Sequence, residues 1–248
     1  MWCYTGSDYT CIEHISNSKA FLMTQLLGLI FDLDGTLVDS LADFQQALNT
    51  VLTEHERRKL SLEEVRSMFG DGAHRSIHRA FALTGEPLSQ QDAPVRLTRL
   101  IELCRTQKAT PEQIYPQAKE TLIAFRDKGV KIGLCTNKIY LSTLKLLDDI
   151  DLADLFDFIA GVDTFPFCKP HPDHVLGVAK GLAVSPQNCV MIGDSANDIR
   201  AAKAAGVANI AVSHGYGRDI HELGADRVIS GLAELPLTLR HLGFDFVG

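Results

Sequence analysis

The chain has 248 residues, of which 46% are hydrophobic and 22% charged, so it can bury a substantial core and is not generally disordered. Its 24 basic and 31 acidic side chains give a formal charge of −7, which provides no electrostatic reason to expect a nucleic-acid partner. No apolar stretch near the N-terminus approaches the roughly 20 residues of a membrane span. The six cysteines form neither a CxxC pair nor a metal-ligand pattern. We therefore expect a soluble, cytoplasmic protein with reduced thiols and no membrane partner.

Residues 1–22 lack the features of a secretory signal and are predicted to form an N-terminal arm of unknown role. From residue 23 onward, short apolar runs alternate with segments of helical period, which predicts an α/β fold with a doubly wound parallel sheet. Helices are predicted over residues 117–128 and 196–205, each followed by a glycine suited to a left-handed cap. The predicted strands are residues 26–33, 131–136, 158–161, 189–192, 209–212 and 227–229.

Residues 40–115 break this alternation, because they contain helical patterns with no convincing strand between them. We expect a helical cap domain here, inserted between residues 23–39 and 116–248 of the α/β core. Such an insert would lie over the carboxyl ends of the strands, where open α/β sheets bind ligands, and could act as a lid. The helix signals within it are Ser40 at a helix start, the capping-box pair Ser61 and Glu64, Gly85 at a helix end, and Pro94 in a first turn.

The first predicted strand ends in Asp32-Leu33-Asp34-Gly35-Thr36. The period of a strand would aim Asp32 and Asp34 the same way, and two like charges held together require a cation or a shared proton. Oxygen ligands favour Mg²⁺. For so short a motif taken alone, a solvated turn is the more common explanation.

Three further polar clusters follow predicted strands. Thr136 and Asn137 are neutral donors suited to a phosphoryl oxygen, although Thr136 could instead cap the next helix. Lys169 precedes Pro170 and Pro172, which stiffen its loop, and Asp194 and Asp198 stand at a helix start, where acids also complement the helix dipole. Because the carboxyl ends of the strands converge on one crevice, the four clusters together supply the parts of a phosphoryl-transfer site.

The four clusters resemble the motifs of the haloacid dehalogenase (HAD) superfamily: Asp32-x-Asp34-Gly35-Thr36, Thr136-Asn137, Lys169-Pro170 and Gly193-Asp194-Ser195-x-x-Asp198. Within that superfamily the chain is most similar to phosphoglycolate phosphatase-like enzymes, through FDLDGTLVDS, CTNK, KPHP and GDSANDI. The resemblance implies a Rossmann-like HAD core with a small α-helical cap. It also implies a Mg²⁺-dependent phosphomonoesterase that acts on a small phosphorylated metabolite, 2-phosphoglycolate above all.

The resemblance also implies a role for each residue. Asp32 would attack phosphorus and form an aspartyl-phosphate, and Asp34 would protonate the leaving alkoxide and then activate water. The segment 68–73 resembles the cap loop that faces the active site in this family, with Gly72 and Arg75 as candidate contacts, although Arg75 is more typical of a surface residue. The residues implied for phosphate binding are Thr136, Asn137 and Lys169. The implied Mg²⁺ ligands are the Asp32 side chain, the Asp34 backbone carbonyl and the Asp194 side chain, with Asp198 in support.

Several alternatives remain open at this stage. Within the superfamily they are a sugar-phosphate phosphatase or mutase, a nucleotidase and a pyrophosphatase. Outside it they are a receiver-like phosphoacceptor signalling module, which the order of the motifs disfavours, and an inactive phosphate-binding scaffold. The histidine pairs at 74/78 and 171/174 lack the further ligands that a zinc site requires. Whether the chain is a monomer or a homodimer is undecided.

Overall fold

The structure, a computed structural model, describes residues 27–244. Within these residues six parallel strands form one sheet in the order β3-β2-β1-β4-β5-β6. They are β1 (Gly28–Phe31), β2 (Lys131–Cys135), β3 (Phe158–Ala160), β4 (Cys189–Gly193), β5 (Ala208–Val212) and β6 (Arg227–Ile229). Each predicted strand is present. The first is shorter than expected because the chain turns after Phe31, where the N–H groups of Thr36 and Leu37 donate to the Leu33 carbonyl at 3.2 and 2.9 Å. The predicted arm, residues 1–22, lies outside the described residues.

Helices cover both faces of the sheet. Leu29 and Phe31 of β1 pack into one apolar core, while Ile30 between them packs into the other, so that the strand is buried on both sides. This is the usual environment of a parallel sheet, and the expected α/β fold class is confirmed. No helix within residues 27–244 is long and apolar enough to cross a membrane. The first core is covered by α5 (Ala118–Asp127), α6 (Tyr140–Asp149) and α9 (Leu235–His241), and the second by α7 (Pro172–Gly181) and α8 (Ala196–Ala205).

Four helices between β1 and β2 pack around a separate apolar cluster that includes Leu48, Met68, Ile77 and Leu100. The predicted capping box is present, because Ser61 and Glu64 exchange hydrogen bonds of 2.8 and 3.2 Å. The exact boundaries of the cap domain stay a prediction. The four helices are α1 (Leu41–Glu54), α2 (Leu62–Arg66), α3 (Ala73–Thr84), which ends before Gly85, and α4 (Ala93–Thr106), which carries Pro94 in its first turn.

The two segments that join these helices to the sheet run side by side. Val38 forms an antiparallel bridge with Ile114, and the Asp39 N–H donates to the Gln113 carbonyl at 2.7 Å. Ser40 directly precedes α1, as predicted, but its side chain does not cap the helix. The hydroxyl of Tyr216 instead accepts hydrogen bonds from the Ser40 and Leu41 N–H groups, at 2.8 and 3.2 Å. The Ser40 hydroxyl is therefore free to bind elsewhere.

Candidate active site

The sheet topology brings the predicted motifs to one place. Strand β1 lies between β2 and β4, so the residues that follow these three strands are neighbours at their carboxyl ends. Asp32 continues this pairing beyond β1, because its N–H donates to the Ile192 carbonyl of β4 at 2.8 Å. Thr136 does the same beyond β2, through the Ala160 carbonyl of β3 at 3.0 Å.

Three buried carboxylates and one buried ammonium group form the centre of the site. Asp32, Asp194 and Asp198 each offer an oxygen, and these atoms all lie within 4.8 Å of one another. The Nζ of Lys169 is 2.9 Å from Asp32 Oδ1 and 2.5 Å from Asp198 Oδ1. Asp198, expected in a supporting role, is fully buried beside the other two acids. It also caps α8, because it accepts a hydrogen bond of 3.0 Å from the Ser195 N–H.

The charges of this cluster do not balance without a further cation. Burial and the charge of Asp198 raise the pKa of Asp32 to about 7, although Lys169 acts in the opposite direction. Burial, followed by the charges of Asp32 and Asp198, raises the pKa of Asp194 well above its ordinary value. Both shifts have the direction expected where one lysine faces three buried acids, a charge that a further cation or a proton would balance. Carboxylate oxygens at this spacing fit a divalent cation such as Mg²⁺.

Glycines leave room for the Asp194 carboxylate. Gly35 has a φ of +87°, and a Cβ at this position would overlap that carboxylate, so both the backbone and the space require glycine. The Asp194 Oδ2 accepts hydrogen bonds from the N–H groups of Tyr216 and Gly217, at 2.7 and 3.3 Å. No residue of this loop is expected at the site from the sequence motifs. The feature that could have indicated the loop is the Gly215-Tyr216-Gly217 tripeptide shortly after a strand, because glycines let the backbone approach a ligand.

The carboxylate of Asp34 has different partners from that of Asp32. The Nζ of Lys138 contacts Asp34 Oδ1 and Oδ2 at 2.9 and 3.1 Å, and the Ser40 hydroxyl donates to Oδ1. Burial acts to lower the pKa of Lys138, but the charge of Asp34 and the hydrogen bond to it outweigh this and raise the pKa. Lys138 is therefore an ammonium ion. Lys138 was not among the expected site residues, although it directly follows Thr136 and Asn137.

Thr136 does not cap the next helix, because α6 begins only at Tyr140 and the Thr136 hydroxyl accepts a hydrogen bond of 3.1 Å from the Lys138 N–H. Asn137 connects two loops, since its Nδ2 donates to the carbonyls of Gly70 and Lys169, both at 3.0 Å. Its Oδ1 is buried without a hydrogen-bond partner among the described residues. Both side chains line the same cavity as Asp32, and their part in phosphate binding stays a prediction.

The loop that carries Lys169 is held by a buried histidine. The Lys169 N–H donates to His174 Nδ1 at 3.2 Å, so the ring carries its proton on Nε2, which faces the Gly161 carbonyl at 3.2 Å. Burial and the nearby charge of Lys169 lower the pKa of His174 to about 4. The ring is therefore neutral at pH 7, and both of its nitrogens serve to position the Lys169 loop.

The cap loop reaches the site as expected from its sequence. The Gly70 carbonyl accepts a second hydrogen bond, of 3.2 Å, from Asn197 at the start of α8. The ring of Phe69 packs edge-on against Phe44 and Tyr216, with centroids 5.1 and 4.9 Å away. Gly72 lines the cavity beside Asp32, whereas Arg75 is exposed and is not among the residues that line it.

Residues 29–212, well over half of the chain, match the family of haloacid dehalogenase-like hydrolases. The chain is 36% identical over 209 residues to a phosphoglycolate phosphatase from Caulobacter vibrioides, which covers 84% of this chain and 88% of that protein. The crystal structure of a predicted phosphoglycolate phosphatase from Haemophilus somnus has a TM-score of 0.77 and 27% identity, covering 87% of this chain and 99% of that one. CbbY from Rhodobacter sphaeroides, crystallised with phosphate, has a TM-score of 0.71 and 25% identity, covering 85% of this chain and 96% of that one. The expected resemblance is thus confirmed, and the chain belongs to the haloacid dehalogenase-like hydrolase family.

Proposed function

We propose that this enzyme is a Mg²⁺-dependent phosphomonoesterase whose substrate is 2-phosphoglycolate and whose nucleophile is Asp32. The chain is a phosphatase of the haloacid dehalogenase-like family, and the named relatives support the substrate. Membership of a hydrolase family excludes the receiver-like signalling module. The observation that carries the proposal is that Asp32 and Asp34 line one cavity, while Lys169 contacts Asp32 and Lys138 contacts Asp34.

Asp32 is suited to attack. Its Oδ1 is occupied by the Leu33 N–H at 2.8 Å and by the Lys169 ammonium group at 2.9 Å. No hydrogen bond to Oδ2 is present within residues 27–244, which leaves this oxygen for bond formation with phosphorus. Lys169 keeps the carboxylate oriented and offsets part of the repulsion between a carboxylate and a phosphate monoester.

The attack forms an Asp32–phosphorus bond and breaks the bond from phosphorus to the ester oxygen. Asp34 would take up a proton from solvent as the substrate binds and give it to that oxygen, so that an alcohol leaves. The Asp34 carboxylate would then take a proton from water, whose oxygen attacks phosphorus and releases phosphate and free Asp32. Asp32, Asp194 and the backbone carbonyl of Asp34 would hold Mg²⁺, with Asp198 in support. When bound, the ion would supply positive charge to the phosphoryl group.

The cavity lined by Asp32 and Asp34 opens between cap and core and has a volume of about 60 Å³. A second cavity of about 270 Å³ shares Asp34, Phe69 and Gly70 with it. This space admits glycolate as the leaving group, and the support for 2-phosphoglycolate is that of the named relatives.

The test is phosphate release from a panel that contains 2-phosphoglycolate, sugar phosphates, nucleotides and pyrophosphate. Each substrate is incubated with Mg²⁺ or with a chelator, using the wild type and Asp32→Asn. We expect 2-phosphoglycolate to have the highest kcat/KM, with activity lost in the chelator and in Asp32→Asn. A higher kcat/KM for another class of phosphoester would overturn the substrate, and equal release by both proteins would overturn the nucleophile.

A further inference from the structure

Lys138 occupies a distinctive position in the cavity between cap and core. Only three charged residues are among those that line it within the described chain: Asp32, Asp34 and Lys138. The side chain of Lys138 is 19% exposed. The apolar part of the wall is formed by Phe44, Phe69, Ala73, Ile101, Cys104 and Ile139. Among the residues that the structure describes, Lys138 is thus the only cation that lines this cavity, and most of the remaining surface of the cavity is apolar.

The two lysines of the site differ in the number of carboxylates that each one contacts. Lys169 contacts two carboxylates, Asp32 and Asp198, at 2.9 and 2.5 Å. Lys138 contacts a single carboxylate, that of Asp34. An ammonium group has three N–H donors, so Lys138 can bind a second anion while it keeps this contact. The side chain of Ser142, which is nearly buried, lines the same cavity and carries a further donor.

We infer that Lys138 determines substrate specificity by binding a carboxylate of the substrate's leaving group. The inference rests on the proposed function, because it requires the ester oxygen to lie at Asp34. In 2-phosphoglycolate a single methylene group separates the ester oxygen from the carboxylate. A substrate whose ester oxygen accepts the proton of Asp34 therefore places its carboxylate within reach of Lys138, which is already hydrogen-bonded to Asp34.

Lys138 could instead serve only as the counter-ion of Asp34. The two roles differ in what happens to a substrate without a carboxylate. A counter-ion acts on Asp34 whether or not the leaving group carries a carboxylate. Its loss therefore lowers the turnover of phosphoesters with equally poor leaving groups by the same factor. A carboxylate ligand acts on one substrate class, so its loss lowers the turnover of that class more strongly.

The experiment compares 2-phosphoglycolate with 2-hydroxyethyl phosphate, in which a hydroxymethyl group replaces the carboxylate. Values of kcat/KM for both are measured with Mg²⁺ for the wild type, Lys138→Met, Lys138→Arg and Lys145→Met. Lys145 is a matched control, because it lies in the following helix, α6, and forms a half-exposed ion pair with Asp149. We expect Lys138→Met to reduce the preference for 2-phosphoglycolate, measured as the ratio of the two kcat/KM values, by about 10- to 100-fold, because hydrogen bonds to charged groups contribute free energies of this size. We expect Lys138→Arg to restore part of the preference and Lys145→Met to leave it unchanged.

Equal losses on the two substrates in Lys138→Met would overturn the inference and leave the proposed function intact. If that variant does not fold, the wild type alone decides, because a carboxylate ligand requires it to prefer 2-phosphoglycolate by a similar factor. Equal kcat/KM values for both substrates in the wild type would again overturn the inference. Failure of the wild type to hydrolyse 2-phosphoglycolate at all would overturn the proposed function and the inference with it.

Discussion

The buried carboxylate of Asp32 makes the stability of the metal-free protein depend on pH, and Asp32→Asn should weaken this dependence. Burial and the neighbouring Asp198 raise the pKa of Asp32 to about 7 in the folded protein, against 3.8 as the ordinary value. Between these two pH values folded Asp32 keeps a proton that the unfolded chain has lost. The stability that this proton contributes is therefore complete below about pH 4 and is lost as the pH rises through 7.

The size of the effect follows from the two pKa values. A tenfold change in proton affinity corresponds to about 1.4 kcal/mol, so the difference between 3.8 and about 7 is worth about 4 kcal/mol once Asp32 is ionised. About 40% of this stabilisation is already lost at pH 5, which leaves a change of roughly 2–3 kcal/mol between pH 5 and pH 8. For a chain of this length that change lowers Tm by about 5–10 °C.

The assay is thermal unfolding in a chelator at pH 5, 6, 7 and 8 for the wild type, Asp32→Asn and the control Asp127→Asn. Asp127 is an exposed carboxylate at the end of α5. We expect Asp32→Asn to exceed the wild type in stability by about 4 kcal/mol at pH 8 and by less at pH 5, while Asp127→Asn follows the wild type. Added Mg²⁺ should stabilise the wild type at pH 8 more than it stabilises Asp32→Asn. Parallel curves for the wild type and Asp32→Asn would refute this reasoning.

Three further predictions concern single residues. Asp34→Asn should lower the turnover of alkyl phosphates by about 10²- to 10⁴-fold. The turnover of p-nitrophenyl phosphate should fall far less, because a good leaving group needs no proton. Equal losses for the two substrates in steady-state assays would exclude the acid role. Lys169→Met leaves Asp198 buried without its cation and should cost about 3–5 kcal/mol in urea-induced unfolding. Unchanged stability would contradict the pairing of Lys169 with Asp198. Tyr216→Phe removes the acceptor of the Ser40 N–H and one of the two acceptors of the Leu41 N–H, and should cost about 1–3 kcal/mol by the same measurement. A loss below 0.5 kcal/mol, about the least that one net hydrogen bond contributes, would show that water replaces the hydroxyl.

The parallel sheet and the motifs at its strand ends could be predicted from sequence because each depends on short segments. A short apolar run predicts a strand, and the polar residues that follow the run lie at the carboxyl end of that strand. Since neighbouring parallel strands share that edge, Asp32, Thr136 and Asp194 converge once the strand order is known. The glycine ends of helices, such as Gly206 after α8, are equally local, because a positive φ suits glycine wherever it occurs.

The contacts that sequence reasoning missed join distant parts of the chain. Asp34 meets Lys138 104 residues later, and Ser40 meets Tyr216 176 residues later. Most lysines are solvated, so nothing local marks Lys138 as buried against an acid. Ser40 was predicted to cap α1 because serine commonly does so, but the Tyr216 hydroxyl takes the N–H groups of this helix start and the Ser40 hydroxyl donates to Asp34. Only the tertiary packing of distant segments determines these partners.

The most direct test of the mechanism is to locate the phosphoryl group during turnover. The enzyme is mixed with 2-phosphoglycolate and Mg²⁺, quenched in acid within milliseconds, digested, and analysed by peptide mass spectrometry. We expect a phosphorylated Asp32 in the wild type, more of it in Asp34→Asn, where water is activated less well, and none in Asp32→Asn. A phosphoryl group on any other side chain would contradict the account, as would stoichiometric phosphate release with an unmodified Asp32 at every quench time.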